Sequence, residues 1–113
     1  MNKNDLLNKY YKESQIQMEC TYSGNYEVGN KSSSKLEEYN KIIEMDFENY
    51  IDIVDELLDS TNPNTCIWIA NVALEKNHRV DYVIEKLKML SCDNSIGIIG
   101  FNAKMLLKAK GLY

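Results

Sequence analysis

The sequence predicts an all-α fold in which about six helices form three antiparallel hairpins, stacked as an α-α superhelix. Three observations predict this fold. The 113 residues include only one proline and five glycines, too few for the many turns of a β-sandwich or barrel. Apolar residues recur at helical spacing along most of the chain. Finally, the apolar pattern that starts at Phe47 starts again at Val80, one repeat period later.

Composition and charge narrow the possible classes of function. With 44% hydrophobic and 27% charged residues, the chain suits one domain with its own core, residues 1–113. A net charge of −4 offers no basic stripe to a phosphate backbone, so nucleic acid is not expected as a ligand. The polar start, Met1 to Tyr11, has no apolar signal region, and no stretch reaches the ~18 apolar residues of a membrane span. We therefore predict a cytoplasmic protein without a membrane partner.

The first hairpin is predicted in residues 1–45 and has the least regular pattern. Its first helix runs from about Asp5 to Gly24, with apolar residues at helical spacing. Asn25 is a suitable cap for the second helix. Gly29 and the serine run that follows it disfavour a helix, so the second helix is predicted only from about Lys35 to Met45.

The second hairpin is predicted in residues 47–76. Asp46 is expected to cap a third helix, whose apolar residues form one unbroken face. These residues are Phe47, Tyr50, Ile51, Val54, Leu57 and Leu58. Asn62 followed by Pro63 predicts the start of a fourth helix, because proline suits the first helical position and asparagine is a good cap. Trp68 is expected to be substantially buried in this helix, which ends before Asn77.

The third hairpin is predicted in residues 80–110. The fifth helix is amphipathic from Val80 to Leu90. A turn at Asp93 to Ser95 is expected to cap the sixth helix, which stops at Gly111. Because the sixth helix is apolar on most sides, it is expected to lie in the interior of the molecule.

The last two hairpins match at a single offset, that from Phe47 to Val80. The matched pairs are Phe47 and Val80, Tyr50 and Val83, Ile51 and Ile84, Val54 and Leu87, Leu57 and Leu90, Trp68 and Phe101, Ala70 and Ala103, and Leu74 and Leu107. A constant period that covers two helices is typical of an α-solenoid, in which each hairpin buries its apolar face against its neighbours. Residues 1–45 are then a divergent hairpin that caps one end. Chance similarity between amphipathic helices is the competing interpretation, but the matching linker lengths favour a repeat.

An acidic stripe on the third helix is the clearest candidate site. The segment from Asp46 to Asp59 has six acidic side chains and no basic one. Five of them are spaced to share one helix face: Glu48, Asp52, Asp55, Glu56 and Asp59. Like charges one turn apart destabilise a helix by roughly 0.2–0.5 kcal/mol each, so the stripe works against folding. It either keeps the protein soluble or attracts a basic partner, and we add the nearby Asn62 and Asn64 to the predicted partner-binding surface.

No residue pattern indicates catalysis or a metal site. His78 is the only histidine, so neither a zinc site nor a histidine-based triad is expected, and it is predicted to be a surface residue at a helix boundary. The three cysteines are widely spaced, which indicates reduced and mostly buried thiols. Gly97 and Gly100 form a weak anion-binding pattern, and close packing of the sixth helix explains them better. We expect no enzyme activity, no cofactor and no metal.

Tyrosine is abundant, with eight residues in the chain. Five of them lie in the first two predicted helices: Tyr10, Tyr11, Tyr22, Tyr26 and Tyr39. Tyr10 and Tyr39 have the spacing of core residues, and packing is the simpler interpretation of the group. Tyrosine is also favoured at protein interfaces, because it combines apolar area with a hydrogen-bonding hydroxyl. The tyrosine-rich surface of the first hairpin is therefore a second candidate for partner binding.

The turn between the third and fourth helices resembles that of a known repeat. Leu57 to Ala70 has leucines that end one helix, an Asn-Pro turn and a small residue in the next helix, as in a HEAT-type turn. Four other segments add to the likeness: Ser23–Tyr26, Asn30–Lys31, Leu36–Asn40 and Gly100–Leu107. Together they resemble a small bacterial HEAT-like family of unknown function, over nearly the whole chain. HEAT repeats usually place a basic residue soon after the turn proline, but Thr65, Cys66 and Ile67 stand here, so a regular polar ladder is not expected.

The resemblance implies a function that the residues alone do not indicate. Members of such families that are encoded near polymorphic-toxin genes are suspected immunity proteins. Our first hypothesis is therefore a non-catalytic protein that neutralises a cognate bacterial toxin, such as a basic toxin domain, and that is a monomer or weak dimer. The second hypothesis is a general HEAT-like scaffold or regulatory module with a non-toxin protein partner. The third, an enzyme related to HEAT-like DNA-repair glycosylases, needs a basic concave groove that the charge pattern does not provide.

Overall fold

The computed structural model describes residues 1–113, which form helices joined by short turns. The six α-helices are α1 (Lys3–Ser23), α2 (Tyr26–Met45), α3 (Phe47–Leu58), α4 (Pro63–Glu75), α5 (Val80–Ser91) and α6 (Ile98–Ala109). A single 3-10 turn, Asn94–Ile96, precedes α6. Consecutive helices pack as the pairs α1–α2, α3–α4 and α5–α6. The predicted all-α fold with six helices in adjacent hairpins is therefore confirmed. None of these helices is both long and apolar enough to cross a bilayer.

The turn between α1 and α2 follows the prediction, but the length of α2 does not. Gly24 ends α1 with a left-handed backbone (φ 78°), which glycine adopts without steric cost. The Asn25 side chain then caps α2 by accepting a hydrogen bond from the backbone N–H of Val28. The prediction that α2 begins near Lys35 is wrong, because the helix begins at Tyr26.

The residues that disfavour a helix in the first half of α2 are the ones that bind it to α1. A Cβ atom at Gly29 would lie 3.0 Å from the Cβ of Cys20, tighter than most side-chain contacts, so glycine suits this close approach of the two helices. Ser32 is buried and donates a hydrogen bond to the carboxylate of Glu13 at 3.3 Å. Lys35 Nζ lies 3.7 Å from the same carboxylate. Contacts with α1 therefore outweigh the low helix propensity of the segment.

Helix α4 is the centre of the molecule. It contacts α1, α2, α3, α5 and α6, and most of its side chains are buried. The Asn62 Oδ1 atom accepts hydrogen bonds from the backbone N–H groups of Asn64 (2.9 Å) and Thr65 (3.2 Å), and Pro63 occupies the first helical position. The predicted start of this helix is confirmed.

Helix α6 lies at the surface, so the expectation of an interior helix is wrong. The edge from Ile99 to Leu107 faces the core, whereas Ile98, Phe101 and Met105 on the opposite side are 50%, 56% and 43% exposed. An apolar helix is normally covered on all sides. Here the interior position is occupied by α4 instead.

The start of α6 also differs from the prediction. Asp93 caps only the 3-10 turn, where its carboxylate accepts a hydrogen bond from the N–H of Ser95 at 2.9 Å. Gly97 follows with φ 55° and ψ −124°, a conformation open to glycine, and α6 begins directly after it. At Gly100 a Cβ atom would lie 2.7 Å from the carbonyl oxygen of Leu90, so the predicted close packing is confirmed for this glycine.

The first helices of the second and third pairs agree with the repeat period. Helix α3 begins at Phe47 and ends at Leu58, and α5 begins at Val80 and ends at Ser91, so both ends are offset by the same number of residues. The predicted cap of α3 is wrong, since the side chain of Asp46 makes no capping hydrogen bond. The second helices diverge, because most side chains of α4 are buried whereas α6 exposes Ile98, Phe101 and Met105.

Hydrogen bonds between neutral side chains join α4 to the first pair. The hydroxyl oxygens of Ser14 and Thr65 are 2.6 Å apart and both residues are fully buried. The Asn40 side chain accepts a hydrogen bond from the Tyr10 hydroxyl at 2.7 Å and donates one to the Trp68 carbonyl oxygen at 3.2 Å. No buried side-chain nitrogen or oxygen lacks a partner. Hydroxyls and amides thus make the polar contacts of α4 with α1 and α2.

Candidate partner-binding surface

Helix α3 turns one side to the core and the acidic stripe to the surface. Its buried residues are Ile53, Val54, Leu57 and Leu58. The structure divides the stripe in two. The outer edge, which we define as Glu48, Asp52 and Glu56, is exposed, and the inner edge, Asp55 and Asp59, lies against residues at the start of α5.

The carboxylates of the inner edge have hydrogen-bonding partners within the molecule. Asp55 Oδ1 lies 2.7 Å from His78 Nε2 and accepts a hydrogen bond from Arg79 Nη1 at 3.2 Å. Asp59 Oδ1 accepts a hydrogen bond from the Tyr82 hydroxyl at 2.7 Å and lies 3.7 Å from Arg79 Nη2. The Arg79 guanidinium also stacks over the Tyr82 ring, 4.1 Å from its centroid. These two carboxylates therefore have partners before any other protein arrives.

Two left-handed residues direct the α4–α5 turn towards α3. Asn77 (φ 53°) ends α4, and the N–H of His78 then bonds to the carbonyl of Ala73 at 2.8 Å, as in a Schellman motif. Arg79 (φ 50°) directly precedes α5. A left-handed backbone costs an ordinary residue roughly 1–2 kcal/mol. The contacts of the Arg79 side chain with the inner edge offset this cost.

The environment of His78 differs from the prediction of a surface residue at a helix boundary. Its side chain is only 20% exposed, and its ring packs edge-on against Phe47 with centroids 5.4 Å apart. Burial alone would raise the pKa of Asp55, but hydrogen bonds from His78 and Arg79 outweigh burial and lower that pKa. The Asp55 carboxylate is therefore held in its charged form.

The outer edge keeps most of its charge available. Glu48 and Glu56 form no ion pair within the chain. Asp52 pairs with Lys3 at 3.1 Å, and the hydrogen bond from Lys3 lowers the pKa of Asp52. Both side chains of this pair are exposed, and ion pairs of this kind contribute little and exchange readily. The outer edge is therefore the part of the predicted stripe that is free to meet a partner.

The two asparagines added to the predicted surface have structural roles. Asn62 Nδ2 donates a hydrogen bond to Gln15 Oε1 at 2.6 Å, besides capping α4. Asn64 is 2% exposed, and its Nδ2 donates hydrogen bonds to the Ser14 carbonyl (2.8 Å) and to Gln17 Oε1 (2.6 Å). Asn64 is therefore not part of the partner-binding surface, because its amide is buried between α1 and α4. Asn62 remains at the border of the surface.

The tyrosines divide into core and surface residues. Tyr10 is fully buried with its ring 6.4 Å from that of Tyr39, which confirms the spacing argument for this pair, and burial raises the pKa of the Tyr10 hydroxyl. Tyr22 and Tyr26 are 52% and 76% exposed. Trp68 is only partly buried, less than its apolar sequence neighbours led us to expect.

The rest of the surface offers little chemistry. No group of three or more histidine, cysteine or acidic side chains is arranged to hold a metal ion. The largest surface cavity, of about 390 Å³, is an open depression lined by Tyr82, Glu85, Lys86 and Met89. Two of the three cysteines are buried as predicted, but Cys92 is exposed.

Sequence reasoning found the carboxylates of the stripe but missed their internal partners. Lys3 stands 49 residues from Asp52 in the chain, a separation at which no local pattern operates. The approach of His78 and Arg79 to α3 could have been predicted from the sequence. Asn77 is a residue type that tolerates the left-handed conformation, and it marks a tight turn whose next residues must lie close to the preceding hairpin.

Comparison with known proteins finds no relative, since no family model, curated protein or solved structure matches the chain. The resemblance to a HEAT-like family therefore stays a prediction.

Proposed function

We propose that the chain is a non-catalytic protein-binding module that holds a basic partner on the outer edge of α3. The observation that carries this proposal is the division of the acidic stripe. The two carboxylates of the inner edge are already engaged by Arg79, His78 and Tyr82, whereas Glu48 and Glu56 have no basic partner in the chain. Exposed, unneutralised carboxylates attract a cationic surface at long range and raise its association rate.

The outer edge is also rigid enough to recognise a surface. Glu48, Asp52 and Glu56 follow one another at intervals of four residues, which places them about 6 Å apart along the helix. Four buried residues hold α3 from behind, and Asp55 is tied to the α4–α5 turn. A row of charges that is already ordered loses less entropy on binding than a flexible one.

We propose toxin neutralisation as the biological form of this activity, with a basic surface of a cognate bacterial toxin as the partner. The resemblance to HEAT-like immunity proteins supports the class of partner, and the free charges of the outer edge support its basic character. An acidic row of this kind imitates the phosphates that a nucleic-acid enzyme binds, which is one way in which a protein inhibits such an enzyme.

The test is a charge-reversal comparison in extracts of the native host. The first variant replaces the three outer-edge residues, as Glu48→Lys, Asp52→Lys and Glu56→Lys. A matched control makes the same change of charge at exposed acidic residues elsewhere, namely Glu37, Glu38 and Glu85. Asp55 is left unchanged, because its replacement would break the contacts with His78 and Arg79.

We expect one host protein to be retained by the wild type and by the control but not by the outer-edge variant. Co-expression then shows whether that protein is a toxin, because only the wild type and the control should protect cells from it. Equal retention by all three proteins would contradict the proposed surface. If the retained protein follows this pattern but is not toxic, the proposed binding surface is supported and the partner is a non-toxin protein.

A further inference from the structure

The exposed face of α6 is an apolar feature that binding through α3 does not explain. Ile98, Phe101 and Met105 lie on one side of this helix, and each exposes between 43% and 56% of its surface. Single exposed apolar residues are ordinary, but a contiguous group of large ones marks an interaction surface.

The apolar face continues from α6 onto the first hairpin. The Tyr22 hydroxyl donates a hydrogen bond to the carbonyl oxygen of Ile96 at 2.6 Å. Tyr26 and Ile98 line the same surface cavity. Tyr22, Tyr26, Ile98, Phe101 and Met105 therefore form one surface, the α6 patch, with the aromatic residues and methionine that are enriched at protein interfaces.

Opposite charges lie at the two ends of the α6 patch. Lys104 and Lys108 lie at the Met105 end, and neither forms an ion pair with a carboxylate of the chain. Glu19 lies one helical turn before Tyr22, Glu27 follows Tyr26, and both are exposed and without an ion pair. From Ile98 to Lys108 the helix rises about 15 Å, so the two ends are well separated.

We propose that the α6 patch is the interface of a homodimer in which two α6 helices cross antiparallel about a two-fold axis near Phe101. A two-fold interface must be complementary to itself. The antiparallel arrangement places the lysine end of one copy on the glutamate end of the other, and the apolar residues meet between them. A parallel arrangement would bring like charges together, which destabilises an interface. The proposal does not depend on the function of α3.

The size of the patch implies a weak dimer. Side chains of this kind present about 150–250 Å² each, so five of them at 43% to 76% exposure bury about 500 Å² per copy. The total of about 1,000 Å² lies at the low end of specific interfaces, and we expect a dissociation constant of about 10–100 µM.

Sedimentation equilibrium of the full chain, from about 5 µM to about 1 mM, tests the proposal. The wild type should pass from monomer to dimer in this range. Phe101→Asp should weaken the dimer by ten-fold or more, and because Phe101 is more than half exposed, its circular dichroism spectrum should match that of the wild type.

A charge swap makes the test specific for the antiparallel arrangement. Lys108→Glu and Glu27→Lys should each weaken the dimer about three-fold or more, and the double variant should recover it, because the swapped charges again face each other. Lys9→Glu, at an exposed position on α1, is the control and should leave the dimer unchanged.

A wild type that stays monomeric at 1 mM would overturn the proposal, and so would a dimer that is indifferent to Phe101→Asp. A dimer that Phe101→Asp weakens but that the double variant does not restore would overturn the antiparallel arrangement. The outer-edge variant of α3 should dimerise like the wild type, so failure of the dimer and failure of the proposed function are separate results.

Discussion

Two polar contacts in this molecule differ in their burial and in the charge of the groups that form them. The contact of α4 with α1 and α2 is buried and uses neutral groups, such as the Ser14 and Thr65 hydroxyls and the Asn40 amide. The contact of α3 with the start of α5 is half-exposed and uses charges, chiefly Asp55 and Arg79. A neutral group needs only a hydrogen bond to be buried, whereas a charge must also replace its hydration. The buried contact should therefore govern stability, and the exposed one should govern which carboxylates stay free for a partner.

The largest expected effect is in the buried contact. Asn40→Leu should lower the free energy of unfolding by about 2–3 kcal/mol, because it leaves the fully buried Tyr10 hydroxyl without a partner and removes the donor to the Trp68 carbonyl. The double variant with Tyr10→Phe should recover at least about 1 kcal/mol, since the unpaired hydroxyl is then gone. Urea denaturation measures both. Equal stability of Asn40→Leu and the wild type would contradict the claim that the buried contact governs stability.

The next effect concerns the backbone of Arg79. Arg79→Ala should lower the free energy of unfolding by about 1 kcal/mol, because the ion pairs with α3 are lost while the left-handed backbone stays strained. Arg79→Gly loses the same pairs but relieves the strain, so it should be about 1 kcal/mol more stable than Arg79→Ala. Thermal unfolding at low and high salt checks the comparison. Equal stability of the alanine and glycine variants would contradict a left-handed backbone at Arg79.

The pH dependence of stability should differ between the charged contact of α3 with α5 and the neutral contact of α4 with α1. The pKa of Asp55 is lower in the folded state, so the unfolded state binds its proton more readily. The stabilisation from this residue is therefore present above the ordinary aspartate pKa of about 3.9 and is lost as the pH falls through the folded value. Asp55→Asn should flatten the acid limb of the stability curve, whereas Thr65→Val should lower the whole curve and keep its shape. Identical acid limbs for Asp55→Asn and the wild type would contradict the ion pair.

The smallest effect on stability should come with a gain in binding. Lys3→Ala removes an exposed ion pair with Asp52, so the free energy of unfolding should change by less than about 0.5 kcal/mol. The outer edge becomes more negative, and association with a basic partner should be faster by about two-fold at low salt. Stopped-flow mixing measures the rate. A slower rate would mean that Lys3 itself contacts the partner.

The parts of the fold that depend on local chemistry could be predicted from the sequence. Helical spacing marked the helices, and Gly24 and the pair Asn62-Pro63 marked turns, because capping depends on a few adjacent residues. The start of α2 could not be predicted in this way. Gly29 and Ser32 are poor helix formers that become helical through contacts with α1, and those contacts are absent from a local pattern.

The surface position of α6 and the division of the acidic stripe could not be predicted from the sequence, for a related reason. The apolar sequence of α6 implied a covered helix, but which helix occupies the centre depends on how the hairpins pack. The spacing of the carboxylates placed them on one face, as found. Their charge balance depends on Lys3, His78 and Arg79, which approach from two other segments of the chain.

The most direct test of the central claim is the association rate of the retained partner with the wild type, the outer-edge variant and its matched control. At low salt the outer-edge variant should associate at least about ten-fold more slowly than the other two proteins. The difference should shrink at 1 M salt, where charges are screened beyond about 3 Å. Equal rates for the outer-edge variant and the wild type at low salt would show that Glu48, Asp52 and Glu56 form a solvated surface and not a binding site.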